Sequence, residues 1–156
     1  MCPPSRIGTF GGGDLTVRLV ASEADSFQCD LKLLFERTSH DNVRLVSRFD
    51  VGPSFGLPAT LMILPMLGNG RSQVFISARF GAVRSFLLDF DGQRVKMIYS
   101  RTEGRVDAMP IYQANGKAMI LEIWRPREYT GEFKKLGNVV RSGPWKGMVL
   151  RYVPIT

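Results

Sequence analysis

The chain has 156 residues and a formal net charge of +7 at pH 7, with 44% hydrophobic and 22% charged residues. This length suits a single compact domain, and this composition is typical of a folded globular protein rather than a disordered one. No apolar run approaches the roughly 20 residues that a membrane-spanning helix needs, since the longest, residues 61–67, is interrupted by Pro65. Sixteen Gly and nine Pro disfavour an all-helical fold, because both residue types interrupt helices.

The first residues bear on where the protein is found. The segment Met1-Cys2-Pro3-Pro4-Ser5-Arg6 lacks the apolar core of a secretory signal, so a cytoplasmic location is the default expectation. Export or lipid anchoring would follow if a signal had been removed, with Cys2 as the lipid-bearing residue. Cys29 alternates with apolar neighbours, and we expect a buried thiol there rather than half of a disulfide.

Predicted strands follow one another along the chain after a flexible Pro- and Gly-rich leader, residues 1–12. The first strand begins at Leu15, where apolar and polar residues alternate. Residues 27–35 alternate in the same way but also fit a helical face. A strand is favoured there, because four of the five residues on its opposite face are polar. His40-Asp41-Asn42 is typical of a turn, and a strand over residues 43–49 follows.

In the second half of the chain, alternation and turn residues predict a further series of strands. The apolar run 60–67 predicts a buried strand, and Asp91-Gly92 is a strong hairpin signal. The remaining predicted strands are residues 73–80, 83–90, 95–100, 109–112, 119–124, 133–140 and 148–153. About ten or eleven strands without a convincing helix indicate one all-β domain over residues 13–156.

The chain also repeats itself. Asn69-Gly70 and Asn115-Gly116 lie 46 positions apart, each after a proline and each before an apolar strand. The pattern of residues 43–48 likewise returns at residues 95–101 and, more faintly, at residues 139–142. A turn and strand that recur at this spacing predict repeated four-stranded antiparallel units. The predicted units are residues 13–68, 69–114 and 115–156.

The second unit resembles the FG-GAP or VCBS repeats, which are the blades of integrin-type β-propellers. The resemblance lies in residues 69–76, followed by Leu88-Asp89-Phe90-Asp91-Gly92, and residues 115–124 resemble the opening of another blade. It implies a propeller-like, partial arrangement, and a β-sandwich or β-barrel is the alternative that the strands allow. Calcium binding is not implied, because Arg71 and Lys117 stand where the family's loop needs oxygen ligands.

Few residues offer catalytic or metal chemistry, and we assign no catalytic residue, metal site or cofactor. The single histidine, His40, lies in a predicted turn and is expected to be solvated. Asp89 and Asp91 flank Phe90 and would share a strand face, either as an acid pair or as parts of a type I′ hairpin turn. Glu122 stands in an otherwise apolar strand, where it is either a carboxylate with a perturbed pKa in a cleft or a solvent-facing or arginine-paired one.

Positive charge is concentrated in the second half. Residues 1–70 carry six Lys or Arg and seven Asp or Glu, whereas residues 71–156 carry fifteen and seven, a net charge of +8. Aromatic rings interleaved with cations suit stacking on sugars or bases while the cations bind anionic groups. The candidate ligand-binding residues are Trp124, Arg125, Arg127, Tyr129, Lys134, Lys135, Trp145 and Lys146. An ordinary solvated basic surface explains the same residues.

These observations favour a non-enzymatic binding or interaction module for an anionic or glycan ligand. The expected partner is a polyanion, a glycan or a protein, and a homo-oligomer is compatible with the repeat. Two alternatives use the same sequence. One is a nucleic-acid-binding β-barrel with steep salt dependence, and the other is a hydrolase that depends on Asp89, Asp91 or Glu122.

Overall fold

The computed structural model describes residues 2, 6–10, 14–23, 28–54, 59–80, 82–102, 106–112, 116–124, 140–142 and 149–155. Within these ranges the protein is all-β, with twelve strands and no helix, as the alternation of apolar and polar residues predicts. The described part of the chain accordingly offers no helix that could span a membrane.

The twelve strands form three four-stranded antiparallel sheets. The first sheet is ordered β1 (Arg6–Thr9), β2 (Leu15–Glu23), β3 (Cys29–Ser39) and β4 (Asn42–Ser54). The second is ordered β5 (Thr60–Leu64), β6 (Gln73–Phe80), β7 (Ala82–Phe90) and β8 (Val95–Arg101). The third contains β9 (Asp107–Tyr112), β10 (Ala118–Trp124), β11 (Val140–Ser142) and β12 (Val149–Pro154), in the order β9–β10–β12–β11. Each sheet has two edge strands, so these strands form no closed barrel.

Alternation decides the structure of the segment whose sequence fits both a strand and a helix. In β3, every second residue from Cys29 to Phe35 is buried, and the residues between them are half-buried. The strand ends in a turn at His40 and Asp41, whose φ angles are 47° and 68°. Two consecutive positive φ angles are those of a type I′ hairpin turn, which confirms the predicted turn.

The second sheet lies between the other two and is buried on both faces. One face packs on the first sheet in an apolar cluster that includes Phe35, Ile76 and Leu88. The other face packs on the third sheet through Leu87 and Ile120, among other residues. Because both faces are covered, β6 and β7 are continuously apolar at their centres rather than alternating. β1 lies against β5, and β4 lies against both β6 and β8.

Gly70 and Gly116, the glycines of the two repeated Asn-Gly pairs, lie at equivalent places, but the strands that follow pair differently, since β6 pairs with the next strand β7 whereas β10 pairs with β12 and not with β11. Gly70 and Gly116 have φ angles of 80° and 81°, which glycine adopts without strain. Each turn joins the first strand of its sheet to the second, β5 to β6 and β9 to β10. The sheets span residues 6–54, 60–101 and 107–154, so each sheet begins one strand before the corresponding predicted unit.

The predicted flexible leader, residues 1–12, instead contains a strand, because β1 pairs with β2 and so completes the first sheet. Phe10 follows it into the core and is 8% exposed. Cys2 forms a disulfide with Cys29, so the expectation of a buried free thiol at Cys29 is wrong. The two cysteines are 27 positions apart in sequence, and the pairing of β1, β2 and β3 brings their Cα atoms to 5.6 Å.

The apolar run 60–67 is not a single buried strand. β5 ends at Leu64 and is an edge strand whose side chains are exposed or half-buried. Pro65 follows, and a proline has no amide hydrogen with which to continue the ladder. Met66 beyond it is buried, and its amide donates to the side chain of Gln73.

Candidate functional site

Glu122 of β10 is fully buried between the second and third sheets. Its Oε2 accepts hydrogen bonds from Tyr99 Oη at 2.5 Å and from Arg101 Nε at 2.9 Å, both on β8. Its Oε1 accepts from Trp124 Nε1 at 3.0 Å, Arg151 Nη1 at 2.9 Å and Arg101 Nη2 at 3.4 Å. We name these five residues the Glu122 cluster. One carboxylate therefore joins strands β8, β10 and β12.

Electrostatics keep Glu122 ionised. Burial alone would raise the pKa of Glu122, but the hydrogen bond from Tyr99 and the charge of Arg101 hold this pKa below its ordinary value. Burial, together with the adjacent carboxylate, raises the pKa of the Tyr99 phenol. Arg101 also lies 5.0 Å from the centre of the Trp124 ring, within cation–π range. With donors on both oxygens, Glu122 is better suited to fixing the two sheets than to transferring protons.

Strand register explains why these polar residues meet. Two rows of cross-strand neighbours face each other across the interface. The row on the second sheet consists of Thr60, Ser77, Ser85 and Arg101. The row on the third sheet consists of Ala108, Glu122 and Arg151. Within the first row, the hydroxyls of Ser77 and Ser85 are 3.2 Å apart and share a hydrogen bond. A polar layer therefore crosses an interface that is otherwise apolar.

A cavity of about 370 Å³ lies beside this polar layer, where β9 approaches β5 and β6. Its polar lining consists of Thr60, Ser77, Arg79 and Asp107, and small apolar residues complete the wall. Arg79 Nη2 is 3.5 Å from Asp107 Oδ1, and the two side chains are 50% and 34% exposed. A pair this long and this exposed is weak, so a ligand can compete for the Arg79 guanidinium. The volume falls in the range of small-molecule sites, about 300–1,000 Å³.

Asp89 is held by Arg71. Arg71 donates to it through Nη2 at 2.6 Å and Nε at 3.4 Å, and Gln73 Nε2 donates at 3.1 Å. Burial would raise the pKa of Asp89, but these hydrogen bonds lower it below its ordinary value. Gln73 is itself fully buried, and its Oε1 accepts the backbone amides of Met66 and Leu67. This network fixes the first Asn-Gly turn of the repeat against β7.

Asp91 stabilises the hairpin between β7 and β8. Its Oδ1 accepts the amides of Arg94 at 2.7 Å and Gln93 at 2.8 Å, and these bonds lower the pKa of Asp91. The predicted hairpin is confirmed, because β7 and β8 pair on either side of this turn. The turn is not type I′, because Gly92 has a positive φ angle of 97° whereas Asp91 does not have a positive one. Asp89 and Asp91 thus serve different local structures, and Glu122 belongs to a third.

Of the eight candidate ligand-binding residues, the structure describes Trp124. Its side chain is 2% exposed and its indole N–H donates to Glu122, so the ring closes β10 at the core and presents no open stacking face. The other seven lie outside the described residues: Arg125, Arg127, Tyr129, Lys134, Lys135, Trp145 and Lys146.

The basic segment that contains those residues, residues 125–148, connects β10 to β12 and includes β11, which pairs with β12 in the third sheet. Trp124, the last residue of β10, is the cross-strand partner of Val149, the first residue of β12. Two residues further in, Glu122 is the partner of Arg151, with which it forms an ion pair at 2.9 Å. Residues 125–148 carry six Lys or Arg and two Glu, a net charge of +4. Both attachment points are therefore fixed by the Glu122 cluster.

The sequence did not identify Tyr99, Arg101 and Arg151 as partners of Glu122. The sequence did indicate that Glu122 needs cationic partners. Glu122 stands at an inward position of an alternating strand, and a buried carboxylate must be paired. Which of the 21 Lys and Arg supply that charge depends on strand pairing. The cavity beside Arg79 was missed for the same reason, since its lining comes from four strands.

The described residues contain no group of three or more His, Cys, Asp or Glu side chains placed to hold a metal ion. Comparison with known proteins gave no family model that matches the chain, no matching curated protein and no matching solved structure. The likeness to propeller repeats therefore stands on the residues of the chain alone.

Proposed function

We propose that the protein is a non-enzymatic binding module for an anionic or glycan ligand. The observation that carries this proposal is the position of the basic segment 125–148. It connects Trp124 to Val149, which are cross-strand partners beside the buried Glu122–Arg151 ion pair, and its own strand β11 pairs with β12. Loops positioned by a rigid β scaffold commonly carry binding residues. The aromatic and cationic side chains of this segment would supply stacking and charge to the ligand.

Charge supports an anionic partner. Residues 71–156 have a net charge of +8. Within the described part of this half, Arg79 lies at an open cavity in only a loose ion pair. Such cations attract a polyanion at long range, and salt screens the attraction.

The three carboxylates of the hydrolase alternative are engaged in contacts within the protein. Glu122 accepts five hydrogen bonds, Asp89 is engaged by Arg71 and Gln73, and Asp91 caps a turn. A general acid must hold a proton near neutral pH, whereas the pKa values of all three are lowered. These residues therefore do not supply the general acid that a hydrolase would need.

For the fold, we propose that the three sheets correspond to successive blades of a partial propeller. Each is four-stranded and antiparallel, and they stack face to face with the second in the middle. The turns at Gly70 and Gly116 occur at the same place in two of them. The described strands do not close into a ring, so the proposal concerns the type of unit and not a complete propeller.

The disulfide between Cys2 and Cys29 favours an oxidising compartment, since such bonds are rare in a reducing cytosol. This revises the default expectation of a cytoplasmic location toward the export alternative. Extracellular and cell-surface polyanions are largely acidic glycans, so a glycan partner agrees with such a location.

Binding of the full chain to immobilised heparin, and to neutral dextran as a control, tests the proposed function. We expect heparin binding whose affinity falls steeply as salt rises from 50 to 300 mM, and no binding to dextran. Competition with single-stranded DNA separates the nucleic-acid alternative, because a specific DNA-binding protein would prefer the DNA to heparin. Equal retention on heparin and dextran at low salt would contradict the proposal.

A further inference from the structure

We propose that two copies of the chain pack head to tail and close a ring of six sheets, with the third sheet of each copy lying on the first sheet of the other. The inference rests on the proposed blade-like units and not on the proposed ligand. Its basis is the two end faces of the stack, because the second sheet is already covered on both faces by its neighbours. We call the face of the first or third sheet that is turned away from the second sheet its outer face.

The outer face of the third sheet is apolar. Strand pairing places there the residues that alternate with the core-facing residues of β10, together with their partners on β9 and β12. The apolar residues at these positions are Met109, Ile111, Met119, Leu121, Ile123, Leu150, Tyr152 and Pro154. Met109 is 46% exposed, and Leu121 at the centre is half-buried. A face of an antiparallel sheet that meets water is normally polar, so this one has the composition of a buried face.

The outer face of the first sheet combines apolar and polar residues. Val43 and Leu45 of β4 are 60% and 53% exposed, and they lie side by side because they are two positions apart on one strand. Their cross-strand partners on β3 are Thr38 and Glu36. Neighbouring large apolar side chains with this exposure are typical of an interaction surface.

An ion pair on this face of the first sheet has a donor to spare. Arg18 Nη2 donates to Glu36 Oε2 at 2.9 Å, and Glu36 is only 8% exposed although it faces away from the second sheet. Arg18 Nε is buried and has no hydrogen-bond partner among the described residues. A buried N–H group needs an acceptor, and a second copy packed over this face can supply one.

The proposed interface would have the same composition as the interface between the second and third sheets. There an apolar contact is crossed by one buried carboxylate with its arginines, Glu122 with Arg101 and Arg151. In the proposed contact, the third sheet of one copy supplies the apolar side chains, and the first sheet of the other supplies the pair of Arg18 and Glu36. The contact between copies therefore continues the stacking that already holds the three sheets together.

Closure of the ring follows from the number of sheets. Two copies of the three described sheets make six, and propellers usually have four to eight blades. A head-to-tail contact that is made twice about a two-fold axis ends in a dimer rather than a filament. Two third sheets packed on each other would also bury their apolar faces, but Val43, Leu45 and the donor of Arg18 would remain without a partner surface. The head-to-tail arrangement is favoured because it covers both end faces.

Size-exclusion chromatography with multi-angle light scattering, run on the full chain over a range of micromolar concentrations, tests the inference. We expect the mass of two chains. Met109→Lys on the third sheet and Leu45→Lys on the first should each raise the dissociation constant of the dimer by about tenfold or more, because each buries a charge in the contact. Both side chains are exposed in a single copy, so the fold of each variant should persist, and circular dichroism checks this.

Met97→Lys is the matched control. Met97 is 51% exposed but lies on β8, an edge strand of the second sheet, and so outside both end faces. This variant should keep the dimer of the wild type. A wild-type monomer, a mass that grows beyond two chains with concentration, or equal effects of the three Lys variants would overturn the inference. Dissociation by Met109→Lys but not by Leu45→Lys would also overturn it, since two third sheets would then be packed on each other.

Heparin binding by the same samples is a separate measurement. A monomer that binds heparin would overturn the ring and leave the proposed function standing. A dimer that responds to both end-face variants but does not bind heparin would overturn the proposed function and leave the ring standing.

Discussion

Arg84 of β7 reaches across the interface between the first two sheets and donates to the backbone on both sides of Gly52 in β4. Its Nη1 donates to the carbonyl oxygen of Val51 at 2.5 Å, and its Nη2 donates to that of Pro53. Gly52 has a φ angle of 99° and lies beside a register shift in the pairing of β3 with β4. A bulge of this kind bends the strand and turns its carbonyl groups toward a partner on the neighbouring sheet.

Gly52→Ala should therefore destabilise the protein strongly. The added Cβ would overlap Nη1 of Arg84, and the left-handed backbone angle is unfavourable for alanine. Strain and the weakened charge-assisted hydrogen bonds together should lower the free energy of unfolding by about 2–4 kcal/mol. Urea unfolding of the wild type and the variant measures this difference.

Gly70→Ala provides the control for backbone strain. Gly70 also has a positive φ angle, 80°, but a Cβ there would meet nothing within 4 Å. Its cost should be only about 1 kcal/mol. Equal destabilisation by the two variants would show that the contact between Arg84 and the backbone around Gly52 adds nothing.

The disulfide should contribute substantially to stability. It links Cys2 to Cys29 across 27 positions, and closing a loop of this length in the unfolded chain is worth about 3.5 kcal/mol. The double variant Cys2→Ser/Cys29→Ser should lower Tm by roughly 7–14 °C for a domain of this size. Differential scanning calorimetry in oxidising buffer measures the shift. A matched scan of the wild type with reductant should give a similar decrease, and an unchanged Tm in both would contradict the contribution of this bond.

The lowered pKa of Glu122 predicts loss of stability in acid. A carboxylate with a lower pKa in the folded than in the unfolded state binds fewer protons when folded. Its contribution is complete above its ordinary pKa of about 4.3, and it is lost as the pH falls through the lowered folded value. Tm should therefore fall between pH 6 and pH 3, and Glu122→Gln should show a smaller fall from a lower starting Tm.

Glu23→Gln controls for the removal of one negative charge. Glu23 ends β2 and is exposed, so this variant should keep the wild-type dependence of Tm on pH. The difference between the two variants isolates the buried carboxylate from the general acid response. An identical pH dependence for Glu122→Gln and the wild type would mean that other groups account for the acid sensitivity.

Stability should not depend on a divalent metal. His40 is the single histidine, both cysteines form a disulfide, and Arg71 pairs with Asp89 beside the first Asn-Gly turn. These residues leave too few ligands for a tight site. Thermal unfolding with and without 5 mM EDTA should give the same Tm, and a lower Tm with EDTA would contradict this prediction.

Local patterns predicted most of the strands, but not β1, which lies in the segment predicted to be a flexible leader. Alternation through Cys29, Leu31, Leu33 and Phe35 identified β3 correctly, because a period of two decides which face of a strand is buried. Turn chemistry placed the hairpin at His40 and Asp41 correctly. Sequence similarity between segments also placed Gly70 and Gly116 at equivalent positions with similar φ angles, but it did not predict that β10 pairs with β12 instead of the next strand, β11.

Features that depend on pairing between distant strands were not predictable in this way. The alternating pattern put Glu122 on one strand face but gave no indication that Arg101 and Arg151 would lie opposite it. The disulfide was missed because it depends on three strands assembling in order. β5 was predicted to be buried from its apolar composition, yet its position at a sheet edge leaves its side chains partly exposed.

The last prediction concerns the basic segment and tests its cations directly. Arg125, Arg127 and Lys146 should together account for most heparin binding, because six Lys or Arg and two Glu stand between Trp124 and Val149. Replacing the three by Ala should markedly lower the salt concentration at which the protein elutes from heparin. The slope of log affinity against log salt concentration should become less steep, by the equivalent of up to three ionic contacts. Circular dichroism of the triple variant checks that the fold persists. A triple variant made in the first half, Arg44→Ala/Arg48→Ala/Lys32→Ala, removes the same charge from the first sheet and should elute close to the wild type. Equal shifts for the two triple variants would mean that heparin responds to net charge alone, and the basic segment would then have no specific role.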